Sequence, residues 1–317
     1  MKILFIGIFD SKEPNTAFRN SLRGISSNYE EISHSNLFST NKFQIDVQNI
    51  IKRQVPDVIF MQLQGANVIS DQTLSAMKKC GAFLVQWTGD ARQPTPSHYI
   101  DFGKKINLSL FGNTEDIEFL TSNGVNADFL QISADETIYT PKSNYPEIVF
   151  MGNHYSGRFP LSNFRLEMCR FLKHIYGDRF MVYGTGWESR LNPKNVMYKQ
   201  HEEADVYRRC KIAINCSHYD LRRYTSDRFF RILLSGAFCL SKEFPKMDEY
   251  MPNVNFATFG DLESLRTQID YYLNNDSIRQ EIANNGHQMA LSKWKWSDRA
   301  NELLKLIDKW KNTGQNN

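Results

Sequence analysis

Short, almost wholly apolar runs recur along this chain, each separated from the next by a segment of helical period. In the first part they are Ile3–Phe9 (ILFIGIF), Asp57–Gln64 (DVIFMQLQ), Ala82–Trp87 (AFLVQW), Leu108–Phe111 (LSLF) and Ala127–Ile132 (ADFLQI). A strand with one face in water alternates polar and apolar residues. These runs do not, so they predict strands covered on both faces, as in a parallel sheet. Strands alternating with helices then predict βαβ units and an α/β, doubly wound architecture.

The pattern pauses at Tyr139–Pro146, a polar stretch with two prolines that reads as a linker. A second series follows: Glu147–Gly152 (EIVFMG), Arg179–Gly184 (RFMVYG), Val196–Lys199, Lys211–Ser217 (KIAINCS), Gly236–Ser241 (GAFCLS) and Val254–Phe259 (VNFATF). Two Rossmann-like domains are therefore expected, 1–140 and 147–292, with a final segment 293–317. Their architectures match, but no residue-level repeat relates them. Near the end, Leu262, Leu265, Ile269 and Tyr272 share a helical face. Ser277 to Gln280 has capping-box spacing, and Gly286 reads as a helix stop. A last helix from about Ser297 carries the stripe Ala300, Leu303, Leu304, Ile307 and Trp310.

A chain of 317 residues is long enough for two cores of ordinary size. A formal net charge of +3 suits a small anionic ligand, and falls short of the footprint of a dedicated nucleic-acid binder. Its five cysteines stand singly, which argues against a zinc or disulfide framework and for a reducing compartment such as the cytoplasm. The opening MKILFIGIFD reaches Asp10 without a small-residue cleavage site, so it reads as a strand and not a signal peptide. No apolar run is long enough to span a bilayer.

Ligands of doubly wound sheets sit outside the carboxyl ends of the strands, so residues there carry the most weight. After EIVFMG comes Gly152-Asn153-His154-Tyr155-Ser156-Gly157-Arg158, ahead of a helical segment. Glycines and a helix N-terminus admit an anion, and Arg158 can fork onto a phosphate or simply be solvated. Gly184-Thr185-Gly186 is a GxG without a third glycine, either a weak phosphate loop or a tight strand exit.

Asn215 closes the KIAINCS strand. The stretch SDRFFRILLSG then places Asp227, Arg228 and Arg231 on a helix that is otherwise apolar. Unpaired charge is costly in a core, so these arginines either meet carboxylates or hold a diphosphate. Asp90, in Trp87-Thr-Gly-Asp90, is a candidate base, sugar-hydroxyl acceptor or cap. No P-loop, HExxH, nucleophile elbow or Asp-x-Asp is present, so no metal ligand set is indicated.

The second half resembles the CgeB-like (spore maturation) glycosyltransferases. The likeness lies in EIVFMGNHYSGR, EEADVYRRCKIAINCS, SDRFFRILLSGAFCLSKEF and the closing stretch from NFATFGDLESL to SDRANELL, with QWTGDAR matching a Trp-x-x-Asp element. It implies a GT-B fold, two Rossmann-like domains facing across a cleft with the last helix crossing back to the N-terminal domain. It also implies transfer of a sugar from a nucleotide-diphosphate donor to a glycan, protein or modified DNA base, with no cofactor and no metal.

On that resemblance the donor lies against Gly152, Asn153, Arg158, Gly184, Gly186, Asn215, Asp227, Arg228 and Arg231, the arginines neutralising the leaving group. The acceptor lies on the N-terminal half. If transfer is inverting, Asp90 is the expected base, ahead of Asp10 and His154. One departure stands out. Arg223 and Arg231 occupy the two glutamate positions of the Glu-x7-Glu motif found in related retaining enzymes. Arginine has no acceptor for ribose hydroxyls, so stereochemistry stays open and a degenerate, non-catalytic binder is the competing reading.

Overall fold

The computed structural model describes residues 1–9, 16–34, 40–139, 147–194, 200–249 and 255–313. In chain order the strands and helices begin β1 (Lys2–Gly7), α1 (Thr16–Gly24), β2 (Asn28–Ser33), α2 (Asn41–Gln54), β3 (Val58–Met61) and α3 (Asp71–Lys79). Then come β4 (Phe83–Thr88), α4 (Ser97–Gly103), β5 (Leu108–Phe111), α5 (Thr114–Ser122) and β6 (Ala127–Phe129). The second series is β7 (Ile148–Met151), α6 (Ser162–Tyr176), β8 (Phe180–Tyr183), α7 (Gln200–Arg209), β9 (Ile212–Asn215), α8 (Asp227–Leu234), β10 (Phe238–Lys242) and β11 (Ala257–Phe259). Three helices close it: α9 (Leu262–Asn274), α10 (Asp276–Lys293) and α11 (Trp296–Thr313).

The chain forms two compact units. One comprises Met1–Ile132 with Trp296–Asn317, the other Ser133–Lys295. The first holds a parallel six-stranded sheet of order β2-β1-β3-β4-β5-β6. Successive side chains of its inner strands enter different cores. Phe5, Phe60, Val85 and Trp87 pack with α1 and α11, while Leu4, Ile6, Ile59 and Met61 pack with α2 and α3. Burial on both faces is why these strands read as unbroken apolar runs. Trp296 anchors α11 in this unit, 4.7 Å from the Phe18 ring and edge-on to Trp87 at 5.8 Å.

Strand β2 has no counterpart among the sequence expectations. Its stretch NYEEIS lies at the sheet edge, half-buried, and its acidic residues pair with neighbouring helices: Glu31 with Arg19, Glu30 with Arg53. An edge strand keeps one flank wet, which removes the apolar signature.

The second unit carries a parallel five-stranded sheet, β11-β10-β9-β7-β8. Ile148, Phe150, Ile212 and Ile214 pack with Met168 and Leu172 of α6 and with Leu265 and Ile269 of α9. The change of unit falls at Ile132/Ser133, ahead of the expected polar linker. Ser133 Oγ donates to the Trp294 carbonyl, Ala134 bridges Lys295, and the buried Tyr139 donates its hydroxyl to Glu203 at 3.1 Å. The residues 140–146 and the expected strand at 196–199 lie outside the described residues.

Two local expectations are corrected. Helix α10 starts at Asp276 with no side-chain cap, and the capping box belongs to α9, where Asp261 and Ser264 exchange bonds. Gly286 does not stop α10. It is buried mid-helix, where a Cβ would strike the Asn255 carbonyl and come within 2.8 Å of Leu233 Cδ2. The glycine is there for close packing, not for termination.

Candidate functional site

In the order β11-β10-β9-β7-β8 the chain reverses direction across the sheet between β7 and β9, so the crevice opens outside their carboxyl ends. A cavity of about 220 Å3 lies there. It is lined by Met151, Gly152 and Asn153 after β7, Tyr183 and Gly184 after β8, His218 after β9, and Asp227, Arg228 and Arg231 of α8, with Tyr155 and Glu203.

Two loops are zipped together beside it. The Gly152 N–H donates to the Tyr183 carbonyl at 3.0 Å and His154 N–H to the Thr185 carbonyl at 2.9 Å. Thr185 N–H returns a bond to Asn153 Oδ1 at 2.9 Å, and Trp187 Nε1 donates to the Gly152 carbonyl at 2.7 Å. The amides of Gly152 and His154 are therefore spent on the neighbouring loop.

Two guanidinium groups of α8 also border the cavity. Arg228 donates through Nη1 to the Cys216 carbonyl and to Ser226 Oγ, both at 3.1 Å, and lies 5.4 Å from the Phe150 ring. All three partners are uncharged. Arg231 is different: it is bound to Glu203 at 2.7 Å and to Asp227 at 2.5 Å. Burial opposes its charge, but the two carboxylates outweigh burial and hold it well above the ordinary arginine range. Arg231 thus faces two carboxylates, whereas the hydrogen-bond partners of Arg228 are a carbonyl and a hydroxyl.

Arg165 of α6 belongs to the same neighbourhood and is absent from the sequence-based set. It is 0% exposed, with its guanidinium 5.2 Å from the Phe150 ring and 5.9 Å from Trp187. A Cβ built on Gly152 would stand 2.6 Å from both Arg165 Nη2 and Arg228 Nη2. The two cations therefore approach within about 5 Å, where like charges repel. Burial, then the Arg228 charge, pull Arg165 down to about 10, which leaves it protonated at neutral pH. Its Nη1 lies against the His218 ring, in contact with both Nδ1 and Nε2. Burial and these arginines lower His218 to about 3, so its ring is neutral and accepts. The signal for Arg165 was in the sequence: it lies on the stripe of Met168, Cys169 and Leu172.

The cavity gathers Gly152, Asn153, Gly184, Asp227, Arg228 and Arg231 from the sequence-based set, and adds Glu203, Tyr155 and His218. Arg158 does not line it. Arg158 is exposed beside Phe159, ahead of the first turn of α6. Nor does Asn215, which is buried and ties β9 to Thr225 at 3.2 Å and Ser241 at 3.0 Å. Gly186 and His154 serve the zipped loops, the imidazole stacking 5.1 Å from Trp187 with Nδ1 3.3 Å from the Gly186 carbonyl. Asp90 belongs to the first unit, exposed after β4 and 3.9 Å from Arg92. Asp10 lies outside the described residues.

Residues 165–305 match the family model described as "Glycosyl transferase-like". No curated protein sequence matches the chain. Among solved structures, HepE of Anabaena in complex with UDP-glucose aligns over 98% of this chain and 100% of its own, at 12% identity and a TM-score of 0.63. Sucrose-phosphate synthase of Thermosynechococcus elongatus aligns over 99% and 100%, at 7% identity and a TM-score of 0.63. A glycosyltransferase of Rickettsia africae aligns over 98% of each chain, at 10% identity and a TM-score of 0.62. The fold is GT-B. Within it, the cavity occupies the second GT-B unit, at the reversal between β7 and β9. No helix among the described residues is long and apolar enough to cross a membrane.

Proposed function

We propose that the chain is a metal-independent glycosyltransferase of CgeB-like type, which moves a sugar from a nucleotide-diphosphate donor to an acceptor hydroxyl. The observation that carries this reading is a concave site at the β7/β9 reversal where, among the described residues, Arg228 donates only to neutral partners. A diphosphate leaving group supplies the missing negative charge, and preorganised cations stabilise that charge as it grows in the transition state. The glycosyl transferase-like match over residues 165–305 supports the same reading, and the complex of HepE with UDP-glucose suggests a uridine donor.

In the reaction, the acceptor oxygen bonds to the anomeric carbon while the bond from that carbon to the diphosphate oxygen breaks. The electron pair leaves with the diphosphate. The hydroxyl proton goes to a base, for which Asp90, exposed at the carboxyl end of β4, is the choice. The acceptor is a glycan or protein hydroxyl rather than DNA, given the modest net charge of +3. The unpaired thiols fit a cytoplasmic setting.

Incubation with UDP-glucose and other nucleotide sugars tests the reading: donor hydrolysis or ligand-dependent stabilisation is expected. Indifference to every donor and every nucleoside diphosphate overturns it. One observation favours a non-catalytic binder instead, namely that Arg231 is locked to Glu203 and Asp227. Asp90→Asn separates the two: an enzyme loses turnover and keeps nucleotide affinity, whereas a binder has no turnover to lose.

A further inference from the structure

Arg165 is a fully buried charge to which no carboxylate among the described residues is bound. No part of it reaches solvent, and its Nε and Nη2 have no hydrogen-bond partner. After burial, the strongest influence on it is another cation, Arg228, and no carboxylate is bound to it. A buried ion without a counter-ion is expensive, and a core position of this kind is ordinarily filled by an apolar residue. Among the described residues its partners are neutral. The neutral His218 ring accepts one hydrogen bond, and the Phe150 and Trp187 rings supply cation–π contact.

Gly152 lines the cavity, and the absence of its Cβ leaves room for the Arg165 and Arg228 Nη2 atoms, each 2.6 Å from where that Cβ would stand. We infer that Arg165 is the second cation of a pyrophosphoryl subsite, acting from beneath Gly152 while Arg228 acts from the pocket wall. Resting on the donor-binding reading above, this names the part of the donor the site is built for. Two guanidiniums whose Nη2 atoms lie no more than about 5 Å apart suit the charge spread over a diphosphate better than that of a single carboxylate. His218 positions Arg165: as an acceptor that stays neutral it holds the fork without cancelling its charge.

The experiment compares the full-length wild type with Arg165→Met, Arg165→Gln and Arg165→Lys, using inorganic pyrophosphate and UDP as probes in calorimetry and thermal melts. The Met and Gln variants are expected to melt no lower than wild type without ligand, and to lose tenfold or more in pyrophosphate and UDP affinity. The Lys variant, which keeps the charge, should stay within a few-fold of wild type. Undiminished pyrophosphate binding by the Met or Gln variant overturns the inference and leaves the donor reading standing. So does failure of both neutral variants to fold, or an equal loss in the Lys variant with a lower melting temperature, since each marks a packing role. A wild type that binds neither probe overturns the inference together with the donor reading.

Discussion

Arg228 and Arg231 stand three residues apart on α8 and line one cavity, yet among the described residues Arg228 donates only to neutral partners while Arg231 is clasped by Glu203 and Asp227. The two arginines should respond to the same change in opposite ways. Arg231→Met strands the buried Glu203 carboxylate and should cost about 3–5 kcal/mol of stability in chemical denaturation. Arg228→Met should cost little stability and weaken diphosphate binding at least tenfold, read by calorimetry.

Gly286→Ala inverts the usual helix rule. An exposed mid-helix glycine gains about 1 kcal/mol on becoming alanine. Here the added methyl meets the Asn255 carbonyl and Leu233, so overpacking of about 1–3 kcal/mol should dominate. A lowered midpoint at unchanged m-value would confirm it.

His218 makes the second unit acid-sensitive. Its folded value of about 3 lies below the ordinary histidine value of 6.5, so between these the unfolded chain binds more protons. Stability should fall as pH drops from about 6.5 toward 3, and should be insensitive to this group above 6.5. In His218→Asn the decline over that window should flatten, as followed by melting temperature against pH.

Leu303 of α11 is buried against the first sheet. Leu303→Ala should cost about 2–5 kcal/mol. Hydrogen exchange should show α1 and α11 losing protection together, since both pack on the same face as Phe5, Phe60 and Trp87.

The inner strands were legible because burial on both faces writes itself as unbroken Val, Ile, Leu and Phe, and β5 falls on Leu108–Phe111 as expected. Strand β2 was not, because its acidic residues answer to helical arginines that sequence periodicity does not see. At the site, the α8 arginines stood out as charges on an apolar helix, and the same logic applies to Arg165, masked by the more conspicuous Gly157-Arg158 pair upstream. Whether a guanidinium is clasped or open was beyond reach. That depends on Glu203, contributed by α7, and on partners set by tertiary contact alone.

The hydrophobic seat of Trp296, Ala300, Leu303 and Ile307 belongs to a sheet whose last strand is finished more than a hundred and fifty residues earlier. During translation, then, this sheet is made well before α11, and the face it shares with α1 stays partly uncovered until that helix follows. The continuous stretch Ser133–Lys295 has all its own parts sooner. Maturation should therefore run against the order of translation, with the interior sequence consolidating first and the outer sequence closing last, exposing Phe18 and Trp87 to chaperones meanwhile.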